Sequence, residues 1–191
     1  MKKQIASLLI PVALMLAATP VLADEVLLLE QARTVAASIP PKLMAVLQDE
    51  IAKGGPEGAI GVCREKAPKM AQQTAEKTGW NIRRVSLKIR NPKAVPDAWE
   101  RAALLDFDQR NAAGESPGLL EKGEIVAEGD AKTYRYISAI PTQKLCSSCH
   151  GKPEDMSEAV RAKLSELYPE DKATGYGSGE IRGALSIKRA L

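Results

Sequence analysis

Residues 146–150 read Cys-Ser-Ser-Cys-His, a spacing with a definite chemical use. Two thiols separated by two residues can each add to one vinyl group of a haem. The residue after the second thiol is then held beneath the iron, where an imidazole becomes an axial ligand. Cys146, Cys149 and His150 are therefore candidate cofactor-binding residues, His150 is the candidate metal ligand, and the expected cofactor is one covalent haem c. His150 is the only histidine in the 191 residues, so it is not one of a scattered surface set. A zinc site wants four ligands, and beyond this motif the chain adds only Cys63 and unclustered carboxylates. A thioredoxin-like redox pair would open a helix inside a βαβ unit. Here Pro141 precedes the motif and Gly151 and Pro153 follow it, which reads as a loop.

The N-terminus reads as an export signal. Lys2 and Lys3 supply a positive start, residues 5–18 form an apolar run broken only by Ser7 and Pro11, and Val21-Leu22-Ala23 is a processing site. The apolar run is short for a spanning helix. Cleavage after Ala23 is expected, giving a signal peptide at 1–23, a single c-type haem domain at 24–191, a periplasmic location and no stable membrane span. Covalent haem attachment outside the cytoplasm agrees with export. The remaining 168 residues suit one domain with a core and a cofactor. Loss of Lys2 and Lys3 lowers the formal charge from +3 to +1. So neutral a chain is not built for nucleic acid.

The elements that must position these residues follow from periodicity. Residues 25–38 carry a helical apolar stripe, which Pro40-Pro41 is expected to break. A second helix over 41–53 ends at Gly54-Gly55, and Pro56 opens a third with Ile60, Cys63, Ala67, Met70, Ala71 and Ala75 on one face. Residues 81–90 alternate like a strand. Asp97 caps a helix to about residue 112, carrying Trp99, Ala102, Leu105 and Phe107. Strands at 123–128 and 133–140, a helix at 154–167, a Gly-rich stretch and a last strand at 180–188 complete an α+β chain with helices around an antiparallel sheet.

A six-coordinate iron needs a second ligand, and no second histidine exists. Met44, Met70, Met156 and the unpaired Cys63 are the candidates. Met70 and Cys63 both sit where core packing would put them, and Met156 stands too near the motif to reach the opposite haem face. An unpaired thiol in an oxidising compartment calls for a use or for burial.

The segments 60–68 (Ile-Gly-Val-Cys-Arg-Glu-Lys-Ala-Pro), 82–92 (Ile-Arg-Arg-Val-Ser-Leu-Lys-Ile-Arg-Asn-Pro) and 96–100 (Pro-Asp-Ala-Trp-Glu) precede the haem motif. The chain closes on 179–187 (Gly-Glu-Ile-Arg-Gly-Ala-Leu-Ser-Ile). In this order they resemble a family of exported monohaem c-type proteins with a PAS-like fold, once catalogued as a domain of unknown function. The resemblance implies iron held by His150 and by Cys63, N-terminal helices on a PAS-like antiparallel sheet, and covalent haem. The chain departs from the family where Lys93-Ala94-Val95 replaces an expected asparagine.

A thiolate ligand would favour ferric iron and a low potential. Arg64, Lys66 or a helix N-terminus could hold Cys63 deprotonated. Arg83, Arg84, Lys88 and Arg90 could meet haem propionates. The expected function is a redox- or gas-responsive sensory haem domain, not an enzyme, acting through an unknown redox or signalling partner and taking a small gas on ferrous iron. The alternative is a soluble low-potential electron carrier. A peroxidase would need a distal acid or base, and no histidine is left to serve.

Overall fold

The structure is a computed structural model that describes residues 20–191. The expected export segment lies outside the described residues except for 20–23, which open the first helix. Among the described residues no helix is long and apolar enough to cross a membrane.

Helix α1 runs over Pro20–Gly61, and its backbone stays helical through Pro40 and Pro41. The expected break at Pro40-Pro41 does not occur. A proline φ already suits a helix, and two prolines at the first turn of a following segment let it continue from the one before. Tertiary burial holds the junction: Leu28, Ala32, Val35, Ala36 and Ile39 pack against the sheet on its N-terminal side. The expected break at Gly54-Gly55 is present, with Gly55 at φ 69°. The chain then enters a wide π turn, Val62–Lys66, before α2, Ala67–Thr78. Its signature is the Ala67 amide donating to the carbonyl of Val62, five residues back. Pro68, which has no N–H to give the carbonyl four residues before it, favours this shift of the ladder. Gly79 ends α2 in the left-handed conformation.

Four strands follow: β1 (Asn81–Val85), β2 (Glu121–Glu128), β3 (Ala131–Pro141) and β4 (Ile181–Ala190). They form one antiparallel sheet in the order β1-β4-β3-β2. The α+β expectation holds. One face carries Tyr134, Tyr136, Leu185 and Ile187 against α1. The other carries Val85, Ile137 and Ala184 against Ala103, Leu104 and Phe107 of α3, Ala98–Ala112. The period-two alternation of a strand places each set. β1 is shorter than its alternating sequence suggests. The Ser86 amide bonds the Ala94 carbonyl, and its hydroxyl bonds the Lys88 and Arg182 carbonyls, which ends the ladder.

Asp97 caps α3 as expected. Its carboxylate accepts from the Glu100 amide at 2.9 Å, and Glu100 accepts from the Asp97 amide at 2.8 Å. The buried Glu100 also faces Arg83 at 3.6 Å and Arg135 at 3.7 Å. The buried stripe of α3 is Glu100, Ala103, Leu104 and Phe107, so Ala102 and Leu105 of the expected set face solvent. α5 spans Glu158–Leu167 behind the Ser157 cap, four residues later than its expected start, because a 3-10 turn occupies Pro153–Asp155.

Gly183 is the tightest point of the sheet. It lies at φ 149°, and a Cβ there would stand 2.4 Å from the Val85 carbonyl oxygen. We expect Gly183→Ala to cost about 1–3 kcal/mol in backbone strain alone, read as a lowered denaturation midpoint. An unchanged midpoint would show that β1 and β4 can separate without loss.

Candidate functional site

The Cys-Ser-Ser-Cys-His segment is not the loop its flanking residues suggest. After a 3-10 turn at Lys144–Cys146, residues Ser147–His150 form a single helical turn, α4. β3 ends just before it at Pro141. The turn closes because the Gly151 amide reaches the Ser147 carbonyl at 2.9 Å, and a Cβ on Gly151 would stand 2.6 Å from that oxygen.

The segment between α5 and β4 clamps this turn. Tyr176 donates its amide to the His150 carbonyl at 2.9 Å, and Gly175 donates to the Gly151 carbonyl at 2.7 Å. The Ala173 carbonyl lies 2.8 Å from His150 Nδ1. Arg90 secures the clamp. Its side chain is 8% exposed and pairs with Asp171 at 2.8 Å, while it donates to the Cys149 carbonyl at 2.5 Å and to that of Ala173 at 3.4 Å.

Arg182 Nε also approaches His150 Nδ1, at 3.0 Å. One ring nitrogen cannot donate to a carbonyl and accept from a guanidinium together. The tautomer that donates to Ala173 leaves the Nε2 lone pair free, the usual arrangement of a metal-binding histidine. Burial, together with Arg182, Arg90 and Arg84, holds the imidazole neutral, with its pKa lowered to about 2. A neutral ring is what a metal ligand requires.

Across the site, Cys149 Sγ lies 3.9 Å from the Pro56 carbonyl, just past the Gly54-Gly55 break. The side chain packs beside Ile60, Met156, Val160 and Leu164. Burial pushes the Cys149 thiol up to about 11. Cys63 stands in the π turn, half-buried and unpaired. Burial raises its pKa, while Arg84, Arg90 and Arg182 pull it down. Cys63 and His150 thus share the same three arginines. The expected help from Arg64 and Lys66 is replaced. Both are exposed, and Lys66 pairs with Glu50 at 2.6 Å. Nor does Cys63 sit at a helix N-terminus. No three His, Cys, Asp or Glu side chains among the described residues close on a common point, as a zinc site demands.

Of the other sulfur candidates, Met156 is core, while Met44 and Met70 are half-buried. The basic residues sort by partner. Arg83 bonds the Val95 carbonyl and faces Glu100 on the α3 side. Lys88 lies over the Tyr176 ring at 4.8 Å, and Arg90 holds Asp171. Arg84 is half-buried, and its enclosed Nε has no partner among the described residues. Arg182, Asp171, Ala173 and Tyr176 escaped sequence reasoning, since their role lies in contacts across 23 to 96 positions.

The site belongs to an α+β domain: Cys149 and His150 stand on α4 with Cys146 just before it, Cys63 stands on the π turn, and Arg84, Arg90 and Arg182 act on both Cys63 and His150. A family model described as Tll0287-like matches residues 16–189, and the chain belongs to the Tll0287-like family. The crystal structure of the cyanobacterial heme-protein Tll0287 is 27% identical with a TM-score of 0.59, over 89% of this chain and 95% of that one. No curated protein matches the chain.

Asp171 orders the clamp from below, with one oxygen taking the Ala173 amide at 2.8 Å and the other Arg90. Asp171→Ala should speed amide exchange at Ala173, Gly175 and Tyr176 about tenfold or more and leave the β4 amides protected. Equal exchange in both proteins would mean that the clamp stands without the ion pair.

Proposed function

We propose that this chain is an exported, periplasmic monohaem c-type protein, with haem bound through Cys146 and Cys149 and iron held between His150 and Cys63. The observation that carries the reading is the geometry at His150, whose Nδ1 faces the Ala173 carbonyl while Cys149 shares its α4 turn and Cys146 stands at the turn's N-terminal end. The crystal structure of a cyanobacterial heme-protein at 27% identity supports it. The unpartnered Arg84 and the shared arginines around Cys63 and His150 fit a buried group that carries negative charge. Haem bound there would supply a one-electron centre with two protein ligands.

The chain's own residues would orient the imidazole, exclude water from the Cys149 side through Ile60, Val160 and Leu164, and hold Cys63 among cations. In this reading the protein is no enzyme. It is a redox- or gas-responsive domain on a PAS-like scaffold that reports to a partner protein. A thiolate matches ferric iron better than ferrous iron, so Cys63 would hold reduced iron less tightly, and a haem held here would then supply a binding site for a small gas.

Two experiments test this. Haem staining after denaturing electrophoresis should survive in the mature protein, with a mass gain of one haem, and vanish in a Cys146→Ala, Cys149→Ala variant. Retention of non-extractable haem by that variant would refute covalent attachment. The wild-type ferric spectrum should be low-spin with thiolate character, and reduced protein should bind carbon monoxide. Cys63→Ser should remove the thiolate signature and raise the potential. If Met70→Leu alters spectrum and potential while Cys63→Ser does not, Met70 is the ligand. If reduced wild-type protein refuses carbon monoxide and exchanges electrons rapidly with a soluble cytochrome, the chain is an electron carrier.

A further inference from the structure

Three guanidiniums converge at the site, and their partners are unequal. Arg90 is matched by Asp171 at 2.8 Å. Arg182 donates to Ser86 Oγ at 3.0 Å and competes with the Ala173 carbonyl for His150 Nδ1. Arg84 is half-buried, its Nε is enclosed without a hydrogen-bond partner, and no carboxylate pairs with it among the described residues. It lies on the α1-facing side of β1, because it stands opposite Leu185 in the sheet register. Cys63 and Cys146 are the groups that most favour its charge, against the burial that lowers its pKa.

A guanidinium donor enclosed without an anion is unfavourable. Its planar donor edge matches a carboxylate, which it can bind through two parallel bonds. The neighbouring Arg83 also has an unpartnered Nε, but its charge is met by a carboxylate. It points to the opposite face of β1, where Glu100 lies 3.6 Å away.

We propose that Arg84 is the carboxylate-binding residue of this site and pairs there with a haem propionate. The proposal rests on the haem reading above. It assigns the role to one of four basic residues that the sequence leaves equivalent. The pairing would add to the two covalent attachments and would set a positive charge near Cys63. Loss of that charge favours ferric over ferrous iron.

The test uses intact haem-loaded protein carrying haem with 13C-labelled propionate carboxyls. Infrared difference spectra between oxidised and reduced forms report the carboxylate stretches. Arg84→Met should displace a labelled band and shift the ferric–ferrous balance about tenfold toward ferric, a fall of about 59 mV for one electron. Arg84→Lys, which keeps the charge but loses the planar fork, should displace the band with a smaller change in balance. It carries the test if Arg84→Met accumulates without haem. Arg83→Met should leave the labelled bands in place. Labelled bands unchanged in Arg84→Lys and in haem-loaded Arg84→Met would overturn the proposal. Absence of haem from wild-type protein, seen by staining before any infrared measurement, would instead remove the haem reading and the proposal with it.

Discussion

The site depends on the buried pair of Arg90 and Asp171. Neither side chain is more than 10% exposed, so the pair stands in a medium where each charge would be costly alone. What makes it worth keeping is what its spare donors and acceptors hold. Arg90 reaches the carbonyls of Cys149 and Ala173, and Asp171 takes the amide of Ala173. One ion pair thereby joins the segment after β1, the α4 turn and the run between α5 and β4. The Ala173 carbonyl that orients His150 is placed by this junction and by no regular secondary structure. A hydrophobic pair of the same volume could fill the space but could not aim a carbonyl.

The second constraint is the π turn at Val62–Lys66. An extra residue in the turn rotates everything after it by about a quarter of the helix circumference. Ala67 and the rest of α2 are thereby turned away from the face they would share with Ile60 and Cys63 in an unbroken helix. Pro68 and the Gly54-Gly55 break bracket the segment, so it is a short rigid unit whose ends are both fixed by backbone chemistry. Its packing comes from Cys149, Met156 and α5. The two thiol-bearing elements meet through side chains from the far end of the chain.

The sequence made the fold legible where local chemistry decides. The Asp97 cap, the Gly54-Gly55 break and the strands at 133–140 and 180–188 all rest on neighbouring residues, and each stands within two residues of where local patterns put it. Pro40-Pro41 misled because a proline's effect depends on whether tertiary burial offsets the lost amides, which no local pattern reveals. Strand β1 looked longer because Ser86 alternates correctly, although its amide and hydroxyl are taken by Ala94 and Arg182. In the site, the motif and Cys63 were readable from spacing, loneliness and resemblance. Arg182 was not, since its approach to His150 spans 32 positions. Its neighbours in sequence mark it only as a residue of an edge-to-core strand.

Charge placement explains why the cations act as they do. Arg64 and Lys66 share the turn with Cys63, but they point into water, where screening weakens them. Arg84 and Arg182 come from two paired strands, β1 and β4, and Arg90 from the segment that continues β1. They act through protein, where a charge is felt more strongly. The field at Cys63 and His150 is therefore a property of the sheet, and it changes only if the register between β1 and β4 changes. Gly183 fixes that register at its closest point, 2.4 Å of room where a Cβ would meet the Val85 carbonyl. The side chains that could donate to a metal stand on two short helical turns that pack against each other, Cys149 lying 3.9 Å from the Pro56 carbonyl, so the donors are held by clamped turns and the charges that tune them come chiefly from the sheet.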